Sequence, residues 1–210
     1  SMLYIPFRNN QINIFVSNRK TENETSSIGE LDNTQSNIDN YKLSFTNYRK
    51  DKYINFKIED FNMSYGIPPN PGGHITGVDI LLNKRTAQIN YRHNISLNIF
   101  NQFDIKYNYI DYIHLELVNE DRDNNDIFDL YNIGDYHVGL AKETHNLNIE
   151  FNAKKSVLGL EFNKKLFTPT GFYLTPETSE NSLSIYGFLD KEITNSDLNF
   201  LSSFRFGYLQ

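Results

Sequence analysis

His114 and Glu116 stand two residues apart in a stretch of alternating polarity. On a β-strand both would point the same way, as two ligands of a metal can. A zinc site takes three or four protein ligands, and no third one follows at a telling spacing. Asp121, Asp123 and Asn125 form a second candidate. Clustered carboxylate and amide oxygens in a flexible loop suit a hard cation, and calcium is the one cofactor the sequence suggests. An EF-hand is excluded, because Asp126 stands where that loop needs Gly and Asn132 where it needs a bidentate Glu. A looser calcium loop at Asp121, Asp123 and Asn125 competes with an ordinary solvated acidic loop.

Catalytic chemistry finds little support. Asp104, Asp111, Glu116, Glu150 and Glu161 lie on strand-like stretches, and a glycosidase works with two facing carboxylates. With 26 acidic residues some such pair always looks available. His137 near Asp135 and Glu143 is equally weak, and His93 falls on an otherwise apolar parity. No nucleophile elbow, phosphate-binding loop or dinucleotide fingerprint occurs. The absence of cysteine excludes disulfides, thiolate metal sites and thiol nucleophiles. No catalytic residue is assigned.

Ile110 and Tyr112 are the candidate binding surface. Tyr107 and Tyr109 follow the apolar parity of their stretch, whereas Ile110 and Tyr112 fall on the polar one. A strand with apolar groups on both faces calls for a second cover: an arm, a subunit or a ligand.

The elements that carry these residues are strands. From Ile89 to Leu117 the odd positions are nearly all apolar and the even ones mostly polar, which paints one greasy and one wet face. The run is too long for an ordinary strand, so it should fold back at Asn101-Gln102 or bend between Asn108 and Tyr112. Strand signals also occur at Gln11–Val16, Tyr41–Phe45, Tyr53–Tyr65 and Thr76–Leu82. In the third, the apolar parity flips across Glu59-Asp60, which predicts a bulge or a strand end. Asn83-Lys84-Arg85 reads as a turn, Ala153-Lys154-Lys155 as a hairpin loop, and Gly134-Asp135 as another. Gly66–Gly73, with three of the six prolines, must be a loop.

About a dozen short strands with frequent turn signals indicate an all-β fold. The expected architecture is an antiparallel two-layer β-sandwich with little helix, a jelly roll being one form of it. Residues 1–40 are expected to form an N-terminal strand and polar arm, and 41–210 the sandwich domain.

Composition bounds the function. A hydrophobic content of 39% with 14 Tyr and 16 Phe is too apolar and aromatic for a disordered chain. A net charge of −6 argues against nucleic acid as a partner. About one residue in seven is Asn, a residue that suits turns. The first expectation is a non-enzymatic binding or assembly module: adhesion- or lectin-like, or a structural component of a virion, phage or secretion machine. Its partners would be protein, carbohydrate or further copies of the chain, in an extracytoplasmic, cell-surface or virion setting. One alternative is an outer-membrane β-barrel, the only reading that brings in a membrane. Short strand segments, sparse Gly and the terminal Leu209-Gln210 count against it. The other alternative is a secreted hydrolase on a β scaffold.

Overall fold

The computed structural model describes residues 1–27, 29–69, 77–97, 99–118, 138–171, 175–192 and 199–210. The alternating segments form strands: β1 (Met2–Phe7), β2 (Asn10–Thr21), β3 (Thr25–Ser26), β4 (Gly29–Glu30), β5 (Ser36–Tyr48), β6 (Lys52–Ile67), β7 (Val78–Leu97), β8 (Phe100–Val118), β9 (Val138–Ala153), β10 (Ser156–Gly171), β11 (Thr178–Glu192) and β12 (Asn199–Leu209). Ten of them make one antiparallel sheet in the order β1-β2-β5-β6-β7-β8-β9-β10-β11-β12, and β3 pairs only with β4. The fold is therefore all-β and antiparallel, as the alternation implies, and no helix occurs among the described residues. The sheet is a meander with open edges at β1 and β12. Residues 1–40 supply β1, β2, the small β3–β4 pair and the first residues of β5, so residue 40 falls inside a strand.

The strands are longer than their turn signals suggest. β7 has 20 residues and β8 has 19, which at about 3.3 Å per residue makes each roughly 60 Å long. Asn83-Lys84-Arg85 is no turn but lies within β7, paired with Asn62, Phe61 and Asp60 of β6 on one side and Ile113, Tyr112 and Asp111 of β8 on the other. Polar side chains there face out of the sheet plane, and the backbone ladder passes through undisturbed. The fold-back in the Ile89–Leu117 run comes between Leu97 and Phe100, a few residues before Asn101-Gln102, and Asn108–Tyr112 is uninterrupted strand. The hairpin at Lys154-Lys155 forms between β9 and β10. Gly134-Asp135 lies outside the described residues.

Register assigns every side chain to a face, because directly opposed residues in an antiparallel ladder point the same way. One row crosses nine strands as Ile12, Phe45, Phe56, Ile89, Tyr107, Leu147, Phe162, Leu183 and Tyr208. The adjoining row on the opposite face reads Gln11, Thr46, Asn55, Asn90, Lys106, Asn148, Glu161, Ser184 and Gly207. Burial runs against the usual rule. Phe56 is 38% exposed, Phe162 39% and Leu183 54%, whereas Thr46 is 3% exposed and Ser184 7%. The polar side chains are thus on the more enclosed face and the apolar ones on the more exposed face. We call these the inner and outer faces.

The parity flip in β6 has a different cause from a bulge. β6 is continuous and keeps a regular register with β5 and β7 across Glu59-Asp60. The apolar residues simply change face: Ile54, Phe56 and Ile58 point outward, Phe61, Met63 and Tyr65 inward. Beyond this change lie the buried apolar residues: Val78 and Ile80 on the inner face, and on the outer face Leu115 and Leu117, with Leu81 and Ile113 packed against them. The β2–β5 connection is tied to this end by Asn33, whose Nδ2 donates to the carbonyls of Ile67 and Val78 at 2.9 and 3.0 Å. Gly77 takes a φ of 83° beside that contact. A Cβ there would meet the Ile67 carbonyl and the Asn33 side chain, so both the conformation and the space favour glycine.

Candidate functional site

The outer face carries an apolar belt three side chains tall on most strands. It comprises Ile12, Ile14 and Val16 on β2, Tyr41, Leu43 and Phe45 on β5, and Ile54, Phe56 and Ile58 on β6. Phe103 to Tyr109 continue it on β8, Leu158 to Phe162 on β10 and Phe204 to Tyr208 on β12, alternate residues in each case. The row through Ile14 meets β10 at Lys164, but the belt on β10 centres on Leu160. It therefore drifts by four residues over the six ladder steps from β2 to β10. At about 3.3 Å per residue and about 4.8 Å per strand, the belt runs at about 25° to the perpendicular of the strands.

The inner face opposite the belt is a hydrogen-bonded polar surface. Asp104, 4% exposed, is its most buried carboxylate. It accepts from Arg92 Nε at 2.8 Å, Gln102 Nε2 at 2.5 Å and Asn152 Nδ2 at 2.9 Å. Three donors to one carboxylate replace the water it gave up. Asn13 donates to Ser44, Asn55 to Thr46, Asn146 to Asn163, and Arg205 to both Glu161 and Ser184. Tyr186 donates to Glu150 at 2.7 Å. The frequent Asn residues thus have a specific place: a short amide that both donates and accepts can link one strand to the next.

A second polar cluster sits on the outer face at the belt margin. His145 Nε2 donates to Glu143 Oε1 at 2.9 Å, which leaves Nδ1 to accept from the Tyr107 hydroxyl at 2.7 Å. The Tyr109 ring packs on the imidazole with centroids 5.0 Å apart. A carboxylate–imidazole–hydroxyl chain is the orienting logic of a hydrolytic triad. Here the hydroxyl is a phenol and both imidazole nitrogens are occupied, so the arrangement satisfies polar atoms at the edge of an apolar surface.

Of the residues singled out in the sequence, Ile110 and Tyr112 lie on the inner face near the point where it changes from polar to apolar. Both are half-buried. Burial, with the neighbouring Tyr65, pushes the Tyr112 hydroxyl above the ordinary phenol range. Its oxygen lies 3.4 Å from His114 Nδ1. His114 and Glu116 do point the same way and approach to 3.5 Å. Asp121, Asp123 and Asn125 lie outside the described residues, as does His137. Among the described residues no group of three metal-ligating side chains gathers. Asp104 and Glu150 are direct ladder partners, each already engaged in hydrogen bonds. Sequence reasoning missed the Asp104 cluster and the Tyr107–His145–Glu143 chain, because both depend on which residues of the neighbouring strands β7, β8 and β9 lie opposite one another. A usable signal existed in the wet parity, which is rich in Asn, Ser and Thr where a solvated strand face would carry Lys and Glu.

The sequence matches no protein-family model and no curated protein.

Proposed function

We propose that this chain is a membrane-embedded β-sheet protein of the outer-membrane barrel type. Its belt would face hydrocarbon and its inner face an aqueous or side-chain-filled interior. One observation carries the reading: the row Phe45–Phe56–Ile89 is exposed, while in the adjoining row Thr46 is buried, Asn55 and Asn90 are half-buried, and the three are hydrogen-bonded to one another. In water that arrangement leaves a continuous apolar surface far larger than the few hundred Å² a soluble monomer tolerates. In a bilayer it is the stable one, since transmembrane strands alternate apolar outward and polar inward. Every strand of the sheet except the six-residue β1 is long enough, a tilted crossing needing about 9–11 residues. The expected short segments, which argued against this class, were an underestimate of strand length. With ten strands in a meander, β1 and β12 run antiparallel, the orientation that would let them pair and close the sheet. Among the described residues no helix is long and apolar enough to cross a membrane. That statement does not bear on crossing by strands.

An assembly module is the second reading. The observation favouring it is the pair of open edges, β1 and β12, whose described residues are exposed throughout. A second copy laid against the belt would make a two-layer sandwich. Partition of the expressed chain separates the two. Retention in membranes after alkaline carbonate washing, with extraction only by detergent, supports the membrane reading. A monodisperse species in detergent-free buffer overturns it, and a soluble oligomer would favour assembly.

A further inference from the structure

We propose that a cleft on the inner face, beside the β5–β6 turn, binds a small saccharide. The inference does not depend on what covers the outer belt. The cleft holds about 470 Å³ and is lined by Tyr48, Tyr53, Asn90, Arg92, Asp104 and Lys106, within the roughly 300–1,000 Å³ range of small-molecule sites. Tyr48 and Tyr53 are ladder partners at the ends of β5 and β6. Their rings stand 5.5 Å apart at 54° and form an open V of two apolar ring faces with hydroxyl tips. Tyr48 is 49% exposed, so this pair is not core packing.

The facing wall is polar and held in place. Arg92 engages the buried Asp104 through Nε, and among the described contacts its terminal amino groups make no hydrogen bond. Asp104 is also fixed by Gln102 and Asn152, so Arg92 is anchored before any ligand arrives. Lys106 lies 3.7 Å from Glu150. Each cation is therefore matched by a carboxylate. A phosphate or sulfate would meet Asp104 and Glu150 as well as the two cations, and a hydrocarbon would strip water from four charged groups without replacing its hydrogen bonds. A sugar ring meets both walls. Its C–H faces lie on tyrosine, and its hydroxyls both donate and accept, as the Asn90 amide and the guanidinium require.

The test is titration of the full chain with maltose, cellobiose, lactose and diacetylchitobiose, with inorganic phosphate as the competing probe, followed by ligand-observed NMR. The expected result is binding of at least one disaccharide, weakened about tenfold or more by Tyr53→Ala and retained within about threefold by Tyr53→Phe. If Tyr53→Ala fails to fold, Lys106→Ala, at a half-exposed side chain, must weaken the same binding. Failure of all four sugars to bind overturns the proposal. So does binding indifferent to these variants, or binding of phosphate at the cleft in their place.

Discussion

Tyr186 folds over the α-carbon of Gly159, its direct ladder partner on the inner face, so closely that a Cβ at 159 would collide with Cζ, Cε1 and the hydroxyl of the tyrosine. That position brings the phenol within 2.7 Å of Glu150 and within hydrogen-bond reach of Asn148, and sets the ring under the Arg205 guanidinium, 5.8 Å away. One missing methyl group thereby allows contacts reaching from β9 to β12. Gly159→Ala should displace the ring, break these contacts and cost about 1–3 kcal/mol. Denaturant unfolding measures it. Combining Gly159→Ala with Tyr186→Ala should recover part of the loss, because the smaller residue no longer collides.

Asp104 is the second point of leverage. Asp104→Leu would leave Arg92, Gln102 and Asn152 without their common acceptor, and Asp104→Asn would keep part of the bonding. The expected losses are about 2–3 kcal/mol and about 1 kcal/mol, in that order, by equilibrium unfolding. Arg92 is half-exposed and can turn to solvent, so Arg92→Ala should cost less than Asp104→Leu.

The two faces should respond oppositely to the same substitution. Phe56→Lys places a charge in the middle of the belt, where it costs about 2–4 kcal/mol at a bilayer midplane. Asn55→Lys, one residue away on the polar face, should cost well under half of that. Folding yield into lipid vesicles reads the difference. Equal losses would show that the belt does not meet hydrocarbon.

Opening of the sheet should begin at its edges. β1 is only six residues long and exposed throughout, and β12 has a ladder partner on one side alone. Amide exchange should be fastest in β1 and β12 and slowest in the middle of β7 and β8. Protection of β1 and β12 that rises on transfer into lipid would indicate that the two edges have paired.

Much of this fold is legible in the sequence. The alternation at Ile89–Leu117 gives strands with a defined apolar parity, and that parity is the one found on β7 and β8. The hairpin at Lys154-Lys155 is equally readable, since the phase shift between Leu147–Phe151 and Leu158–Phe162 is what two strands around a tight turn produce. What alternation leaves open is which face is outside. A period of two marks Phe56 and Asn55 as opposite but does not say which of them meets the protein interior. Strand ends are obscured for a related reason. Asn83-Lys84-Arg85 has the composition of a turn, yet within β7 Asn83 donates to Asn62 and Arg85 pairs with Asp60 across the ladder, so these polar residues sit inside a strand with their partners alongside. The Asp104 cluster depends on register across β7, β8 and β9, which only the folded sheet fixes.

The central claim is that the belt faces lipid and the Asn-rich face does not. The chain contains no tryptophan, so Phe56→Trp and Asn90→Trp each create a single reporter. Both proteins would be reconstituted into vesicles whose acyl chains carry bromine, which quenches indole fluorescence on contact. The prediction is strong quenching of Trp at position 56 and weak quenching at position 90. Equal quenching at the two positions, or stronger quenching at position 90, would contradict it.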